Sequence, residues 1–149
     1  MRIISLIPSA TEIICALGLE ENLVGRSHEC DYPKKIQILP ECTKPKLDIS
    51  GSSLAINKSV NLFLNNSSSI YQINEEIIIK LKPDIIFTQA QCDVCAVSLR
   101  EVNAIFENSK RLKPEIISLQ PSKIDDIWDN ISLVAKNLGI SKKGSTLNR

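Results

Sequence analysis

The sequence has little of what nucleic-acid recognition or phosphate chemistry usually requires. Only 4% of its 149 residues are aromatic, the formal net charge is +1, and there are five glycines. A near-neutral chain with few aromatic rings lacks both the basic surface and the stacking platforms that bind nucleic acids. No glycine-rich phosphate loop, Ser-His-Asp arrangement or paired-carboxylate motif is evident, so the sequence shows no catalytic motif.

The chain also lacks a long hydrophobic run. Its first residues, MRIISLIPSATEIICALGL, begin like a signal peptide, but Pro8 and Glu12 interrupt them and leave an apolar core that is too short. Bulky Ile14 precedes Cys15, where a lipoprotein signal needs a small residue. No stretch approaches the length of a membrane-spanning helix. We therefore expect a cytoplasmic protein with reduced cysteines, periplasmic only if the native N-terminus is longer.

Short apolar runs alternate with helical patterns along the chain. Four runs have the character of buried parallel strands: residues 2–7, NLVGRS (22–27), DIIFTQ (84–89) and EIISLQ (115–120). Five helices are predicted between and after these strands. The first runs from a Ser9–Glu12 capping box to Gly18, the second lies near residues 53–64, and the third runs from Asn74 to about Lys82. The fourth carries Cys95, Leu99, Val102 and Phe106 at helical spacing, and the fifth runs from residue 122 to Gly139. This alternation predicts an α/β fold: a three-layer lobe in which helices flank a mainly parallel sheet.

The loops that leave the carboxyl ends of parallel strands lie at one edge of a sheet, where ligands bind. Ser9 and Thr11 follow the first predicted strand, His28 and Cys30 follow the second, and Cys92 and Cys95 follow a later one. We therefore expect these three loops to lie at the same edge. Free amides at the helix start near Ser9 could hold an anionic ligand group there, alongside a capping role.

The chain's single histidine and three of its five cysteines lie in these loops. His28, Cys30, Cys92 and Cys95 provide one nitrogen and three sulfurs, a set that suits tetrahedral zinc. A thiol role is distinct from zinc binding, because a cysteine at a helix start gains thiolate character from the helix dipole. The alternative is that these cysteines are small buried hydrophobic residues. We favour metal or thiol chemistry over inert packing.

Two segments resemble a known family. IISLIPSATEIICALGLEENLVGRSHECDYP and INEEIIIKLKPDIIFTQ resemble the iron-siderophore and cobalamin class of periplasmic-binding-protein-like domains, the substrate-binding proteins of ABC transporters. The His-Glu-Cys and Cys-Asp-Val-Cys-Ala-Val segments resemble a branch that is usually leaderless and is described as cobalamin-binding-like. The resemblance covers essentially the whole chain.

The resemblance implies a class III fold, in which two α/β lobes joined by a long helix enclose a ligand. By this resemblance, residues 1–140 are the N-terminal lobe, 141–149 are the start of the interlobe helix or a frayed terminus, and the second lobe is absent. The implied partners are a corrinoid or iron complex, an ABC permease that contacts Glu75 or Glu76, and a chain supplying the second lobe. No nucleic acid and no membrane span are expected.

We therefore predict a non-enzymatic lobe that binds cobalamin or an iron complex. The expected ligand-binding residues are Pro8, Ser9, Ala10, Thr11, Glu12, His28, Glu29, Asp31, Tyr32, Gln89 and Gln91. The alternative is a cytoplasmic zinc- or thiol-dependent metal-handling protein or enzyme that uses His28, Cys30, Cys92 and Cys95.

Overall fold

The computed structural model describes residues 1–47, 50–64, 70–90, 97–107 and 112–148. The strands in these ranges are β1 (Ile3–Ser5), β2 (Leu23–Arg26), β3 (Thr43–Pro45), β4 (Tyr71–Ile73), β5 (Ile85–Gln89) and β6 (Glu115–Leu119). The α-helices are α1 (Pro8–Ala16), α2 (Ser53–Leu64), α3 (Glu75–Leu81), α4 (Leu99–Glu107), α5 (Asp125–Asn137) and α6 (Ser141–Leu147).

Four strands form a parallel sheet in the order β2-β1-β5-β6. Their side chains alternate between the two faces, because successive residues of a strand point to opposite sides. Ile3 and Phe87 belong to the core on one face, and Ile4 and Ile86 belong to the core on the other. All four residues are completely buried, which explains why these strands are apolar runs without polar alternation.

Helices cover both faces of the sheet. On one face the core includes Ala10 and Ile14 of α1 together with Val134 and Ala135 of α5. On the other face, Ile78 of α3 and residues of α4 complete the core. The predicted three-layer α/β lobe with a mainly parallel sheet is therefore confirmed.

Several helix boundaries agree with the sequence prediction. Helix α2 spans the predicted residues, and the side chain of Asn74 accepts a hydrogen bond from the Ile77 amide at the start of α3. Helix α3 ends at Leu81, and its C-cap Lys82 adopts a left-handed conformation with φ of 46° immediately before Pro83. Gly18 and Gly139 follow the ends of α1 and α5 with φ of 73° and 72°, a conformation that glycine adopts without steric cost.

Two predicted helix starts are wrong. Helix α1 begins at Pro8, with Ile7 as its N-cap and no capping side chain, so Ser9 and Glu12 do not form a capping box. Proline suits this first position, where its missing amide has no intrahelical partner. Helix α4 begins at Leu99 rather than near Cys95. A capping box formed by Ser98 and Glu101 starts it: the Ser98 hydroxyl accepts from the Glu101 amide, and the Glu101 carboxylate accepts from the Ser98 amide.

The sequence did not predict the two-stranded sheet formed by β3 and β4. These two strands are antiparallel and only three residues long each, with Thr43 opposite Ile73 and Pro45 opposite Tyr71. The segment before β3 runs along the outer edge of β2, where the amide of Cys42 donates to the carbonyl of Arg26 at 2.7 Å. This small sheet therefore lies beside the loop that follows β2.

Helix α6 packs closely on α5. A Cβ atom at Gly144 would lie 2.5 Å from the Cβ of Ala135, so the two helices approach at a distance that only glycine permits. Among the helices of the described residues, none has the length and apolar character needed to cross a membrane.

Candidate ligand-binding rim

The carboxyl ends of the parallel strands form one edge of the sheet, which we call the rim. Because β1, β2 and β5 are adjacent and parallel, residues 6–9, residues 27–33 and the chain after Gln89 all leave the sheet at this edge. This arrangement follows the sequence prediction for the three loops. Gln91, Cys92 and Cys95 lie outside the described residues, so their part in the rim stays a prediction.

A buried set of polar side chains joins the first two loops. Thr11 Oγ1 lies 2.8 Å from Ser5 Oγ and 3.1 Å from Cys30 Sγ, and the Ser27 amide donates to the Ser5 carbonyl at 2.8 Å. Ser5, Thr11 and Cys30 are all completely buried. Thr11, which the sequence suggested as a cap or a ligand contact, instead connects α1 to the end of β1 and to the β2 loop.

The second loop is held by Arg26, whose side chain is only 7% exposed. Its Nη1 atom donates to the carbonyls of Ser27 and Cys30 at 3.0 and 3.2 Å. Its Nη2 atom donates to the carbonyl of Gln37 at 3.0 Å and to the carboxylate of Glu41 at 2.8 Å. A planar guanidinium can satisfy several acceptors at fixed angles, so Arg26 sets the path of the whole loop.

The predicted ligand residues divide into exposed and buried groups. Ala10 and Thr11 are completely buried, so their side chains belong to the core beneath the rim. Gln89 and His28 are partly exposed. The exposed members are Pro8, Ser9, Glu12, Glu29, Asp31 and Tyr32. They give the rim three carboxylates and one phenol, and Tyr32 is 64% exposed.

His28 and Cys30 do not point toward a common ion. Cys30 packs in the core beside α1, with Thr11 and Ser5 as its partners. The His28 ring instead lies against Tyr71, with ring centroids 5.0 Å apart, and Tyr71 packs on the core of the opposite face. Among the described residues, no group of three or more histidine, cysteine or acidic side chains could hold a metal ion. Zinc gains no support here, and the ligand set that includes Cys92 and Cys95 stays a prediction.

Burial disfavours the thiolate form of the described rim cysteine. Cys30 has a pKa raised by burial, although the hydrogen bond from Thr11 acts in the opposite direction. Cys42, buried immediately before β3, has a pKa raised by burial to about 12. Since the thiolate is the reactive form, burial disfavours a redox or metal-binding role for both residues.

A groove of about 540 Å³ lies between α1 and α5 next to the rim. Its lining includes Ile13 and Cys15 of α1, Trp128 and Ile131 of α5, and Tyr32 from the β2 loop. Trp128 is 48% exposed and Tyr32 more so, so both aromatic rings are accessible from solvent. The groove therefore extends the rim with an apolar surface that the sequence did not predict.

The acidic residues that the family resemblance singled out are exposed. Glu75 and Glu76 form the first turn of α3, where the helix dipole favours negative charge. They line a shallow surface depression together with Lys44 of β3 and Gln72 of β4. Their side chains are accessible to a second protein.

Sequence reasoning missed two residues that shape this site. Arg26 lies in an apolar strand, and no local pattern indicates that its guanidinium turns inward toward a loop. Thr43 is buried and lies 2.8 Å from His28 Nδ1, although 15 residues separate them in the sequence. The one available signal is the isolated charge of Arg26 within an apolar run, because a buried charge requires partners.

No family model and no curated protein matches the sequence. Solved structures do match. The chain is similar to the periplasmic heme-binding protein RhuT from Roseiflexus sp. RS-1, with 24% identity and a TM-score of 0.68. It is also similar to the periplasmic vitamin B12 binding protein BtuF of Vibrio cholerae (27% identity, TM-score 0.66) and to the periplasmic heme binding protein HutB of Vibrio cholerae (16%, 0.67).

Each of these matches covers 99% of this chain and 44–46% of the solved chain. The chain thus spans less than half the length of the structures that it resembles. All three are described as binding proteins, which agrees with the prediction of a non-enzymatic protein. Their names give a periplasmic location for those proteins, whereas the cytoplasmic location expected from this sequence stays a prediction. The resemblance inferred from the sequence is confirmed: the chain has the fold of one lobe of the class III periplasmic heme-, vitamin B12- and iron-binding proteins.

Proposed function

We propose that this chain is the ligand-binding lobe of a substrate-binding protein for cobalamin or an iron complex. One observation carries the proposal: the fold that contains the parallel sheet and its rim matches a heme-binding protein and a vitamin B12 binding protein over 99% of this chain. Ligands of open parallel sheets bind at this edge of the strands. Catalysis forms no part of the proposed role.

The exposed side chains of the rim suit a large ligand with both apolar and polar parts. Tyr32 and Trp128 provide accessible aromatic surface, which gives much contact area at low conformational cost. Glu29 and Asp31 offer hydrogen-bond acceptors to the amide or hydroxyl groups of such a ligand. The first amides of α1, around Ser9, offer donors to an anionic group such as a propionate or phosphate.

A single lobe encloses a ligand on one side only, and tight binding requires that most of the ligand surface be buried. We therefore propose that a second lobe, in the same gene product or in a partner chain, completes the site. Helix α6, which packs on α5, is the proposed start of the connection between the lobes. Glu75 and Glu76 are the proposed contacts with a permease, because both side chains are exposed and carry the acidic charge that permease arginines engage.

The test is a spectral titration of the purified chain, and of a longer gene product if the reading frame continues, with cyanocobalamin, hemin and a ferric siderophore. We expect a saturable change with one ligand class, weakened about tenfold or more by Tyr32→Ala, because burying a large apolar side chain contributes roughly 1.5–3 kcal/mol. Lys142→Ala, on the exposed surface of α6, is the control and should leave binding unchanged. A longer product that binds none of the three ligands would contradict the proposal.

A further inference from the structure

Three side chains with metal-binding atoms meet where the loop after β2 faces the two-stranded β3–β4 sheet. Glu29 Oε1 lies 3.3 Å from His28 Nε2 and 3.2 Å from the hydroxyl of Tyr71. His28 and Glu29 come from the loop, whereas Tyr71 lies 42 residues further along the chain. Only the tertiary structure brings an imidazole nitrogen, a carboxylate and a phenol together at this point.

Glu29 Oε1 is spaced from each of its two neighbours as two ligands of one ion are. Two ligand atoms that are each about 2.1 Å from a metal are about 3.0 Å apart at an octahedral angle and about 3.4 Å apart at a tetrahedral angle. Both measured distances, 3.2 and 3.3 Å, fall between these values. The carboxylate of the half-exposed Glu29 side chain is therefore at ligand spacing from each of the other two atoms.

The histidine is already oriented for this role. Its Nδ1 atom lies 2.8 Å from Thr43 Oγ1, and the same hydroxyl accepts a hydrogen bond from the His28 amide at 3.2 Å. This contact holds the ring in one orientation, with Nε2 on the side of Glu29, and a ring nitrogen held in this way supports a metal bond at the other nitrogen when it carries the proton. Nε2 is buried and has no hydrogen-bond partner, because its contact with Glu29 lacks the alignment of a hydrogen bond.

We propose that His28 Nε2, the Glu29 carboxylate and the Tyr71 hydroxyl form a binding site for a first-row transition-metal ion. An imidazole suits iron, zinc, copper and nickel, and two oxygen ligands favour a harder ion than the thiolate set predicted from the sequence. On binding, the phenol releases its proton to solvent and the freed oxygen lone pair forms the bond to the metal. Water completes the coordination. The site goes beyond the proposed function, since it binds an ion directly and involves no corrinoid or chelate.

Ferric ion is the best probe, because a phenolate bound to Fe³⁺ gives a visible charge-transfer band. We expect the purified chain to take one equivalent of Fe³⁺ from ferric citrate with the appearance of this band. Tyr71→Phe should abolish the band, while its ring keeps the contact with His28. The chain has only two tyrosines, so Tyr32→Phe is the matched control and should retain the band. Glu29→Gln should weaken binding, and Thr43→Val should weaken it about 10–100-fold through the orientation of His28.

A second comparison separates this site from the cysteine-containing set. The double variant Cys92→Ser/Cys95→Ser should bind Fe³⁺ as the unchanged chain does. Absence of the band in the unchanged chain would overturn the proposal, as would its persistence in Tyr71→Phe or its loss in the cysteine variant. Circular dichroism of each variant shows whether a loss reflects unfolding. The outcome is independent of the cyanocobalamin and hemin titrations, so either proposal can fail without the other.

Discussion

Replacing Arg26 by methionine tests whether the loop at the rim depends on one buried guanidinium. The substitution keeps an unbranched apolar side chain but removes the charge and its donors. The carbonyls of Ser27, Cys30 and Gln37 would each lose a charged donor at 3.0–3.2 Å. Glu41, which is 52% exposed, can turn toward water and therefore loses little.

The expected loss in the free energy of unfolding is about 3–5 kcal/mol. An unsatisfied buried acceptor costs roughly 1–3 kcal/mol, and breaking a buried charged network costs about 3–5 kcal/mol in measured cases. Three acceptors are affected, but the loop can move to expose some of them, so we do not expect the full sum. A typical domain is stable by about 5–15 kcal/mol, so the variant should be folded but much weakened.

Urea unfolding followed by circular dichroism measures the loss. With a slope of about 2 kcal/mol per molar urea, the midpoint should fall by roughly 2 M. Arg100→Met, at an exposed position of α4, is the control and should change stability by about 0.5 kcal/mol or less. If Arg26→Met is within about 1 kcal/mol of this control, the guanidinium does not hold the loop as described.

Three further outcomes follow from the core and the helix ends. Gly25→Ala should lower the free energy of unfolding by about 1–3 kcal/mol, because the added Cβ would lie 2.7 Å from both Cys42 Sγ and Leu81 Cδ1. An unchanged urea midpoint would contradict this close packing. Asn74→Ala should lower the free energy of unfolding by about 1 kcal/mol, because α3 loses its capping acceptor. Asn74→Asp retains an acceptor and should lower it less. Equal losses in the two variants would show that the capping hydrogen bond does not stabilise the helix. The pKa of Cys42 is raised by burial from 9.0 to about 12, so its contribution to stability is present below pH 9 and is lost as the pH rises toward 12. Between pH 7 and 10.5 the free energy of unfolding should therefore fall more steeply with pH in the unchanged chain than in Cys42→Ala. Identical slopes in the two proteins would refute the raised pKa of Cys42.

Local chemistry was enough to predict most of the sheet and its helices. The apolar runs around Ile4, Ile86 and Ile117 are strands because both faces of a parallel sheet are buried. Asn74 and Pro83 delimit α3 through interactions within a few residues of each end. For α1 and α4 the prediction failed only at the helix starts, where several neighbouring residues could serve as the cap. Sequence alone does not decide between such neighbours, because the cap depends on where the preceding strand releases the chain.

The sequence by itself determined the class of fold and the edge of the sheet at which a ligand would bind. Hydrophobic periodicity and chain order fix both, since parallel strands connected by helices leave their following loops at one edge. Only the tertiary structure decided that Thr11 faces the core, that Arg26 turns inward, and that His28 meets Tyr71 rather than Cys30. The direction of a loop side chain depends on partners 15 to 42 residues away, and no pattern within the loop specifies them.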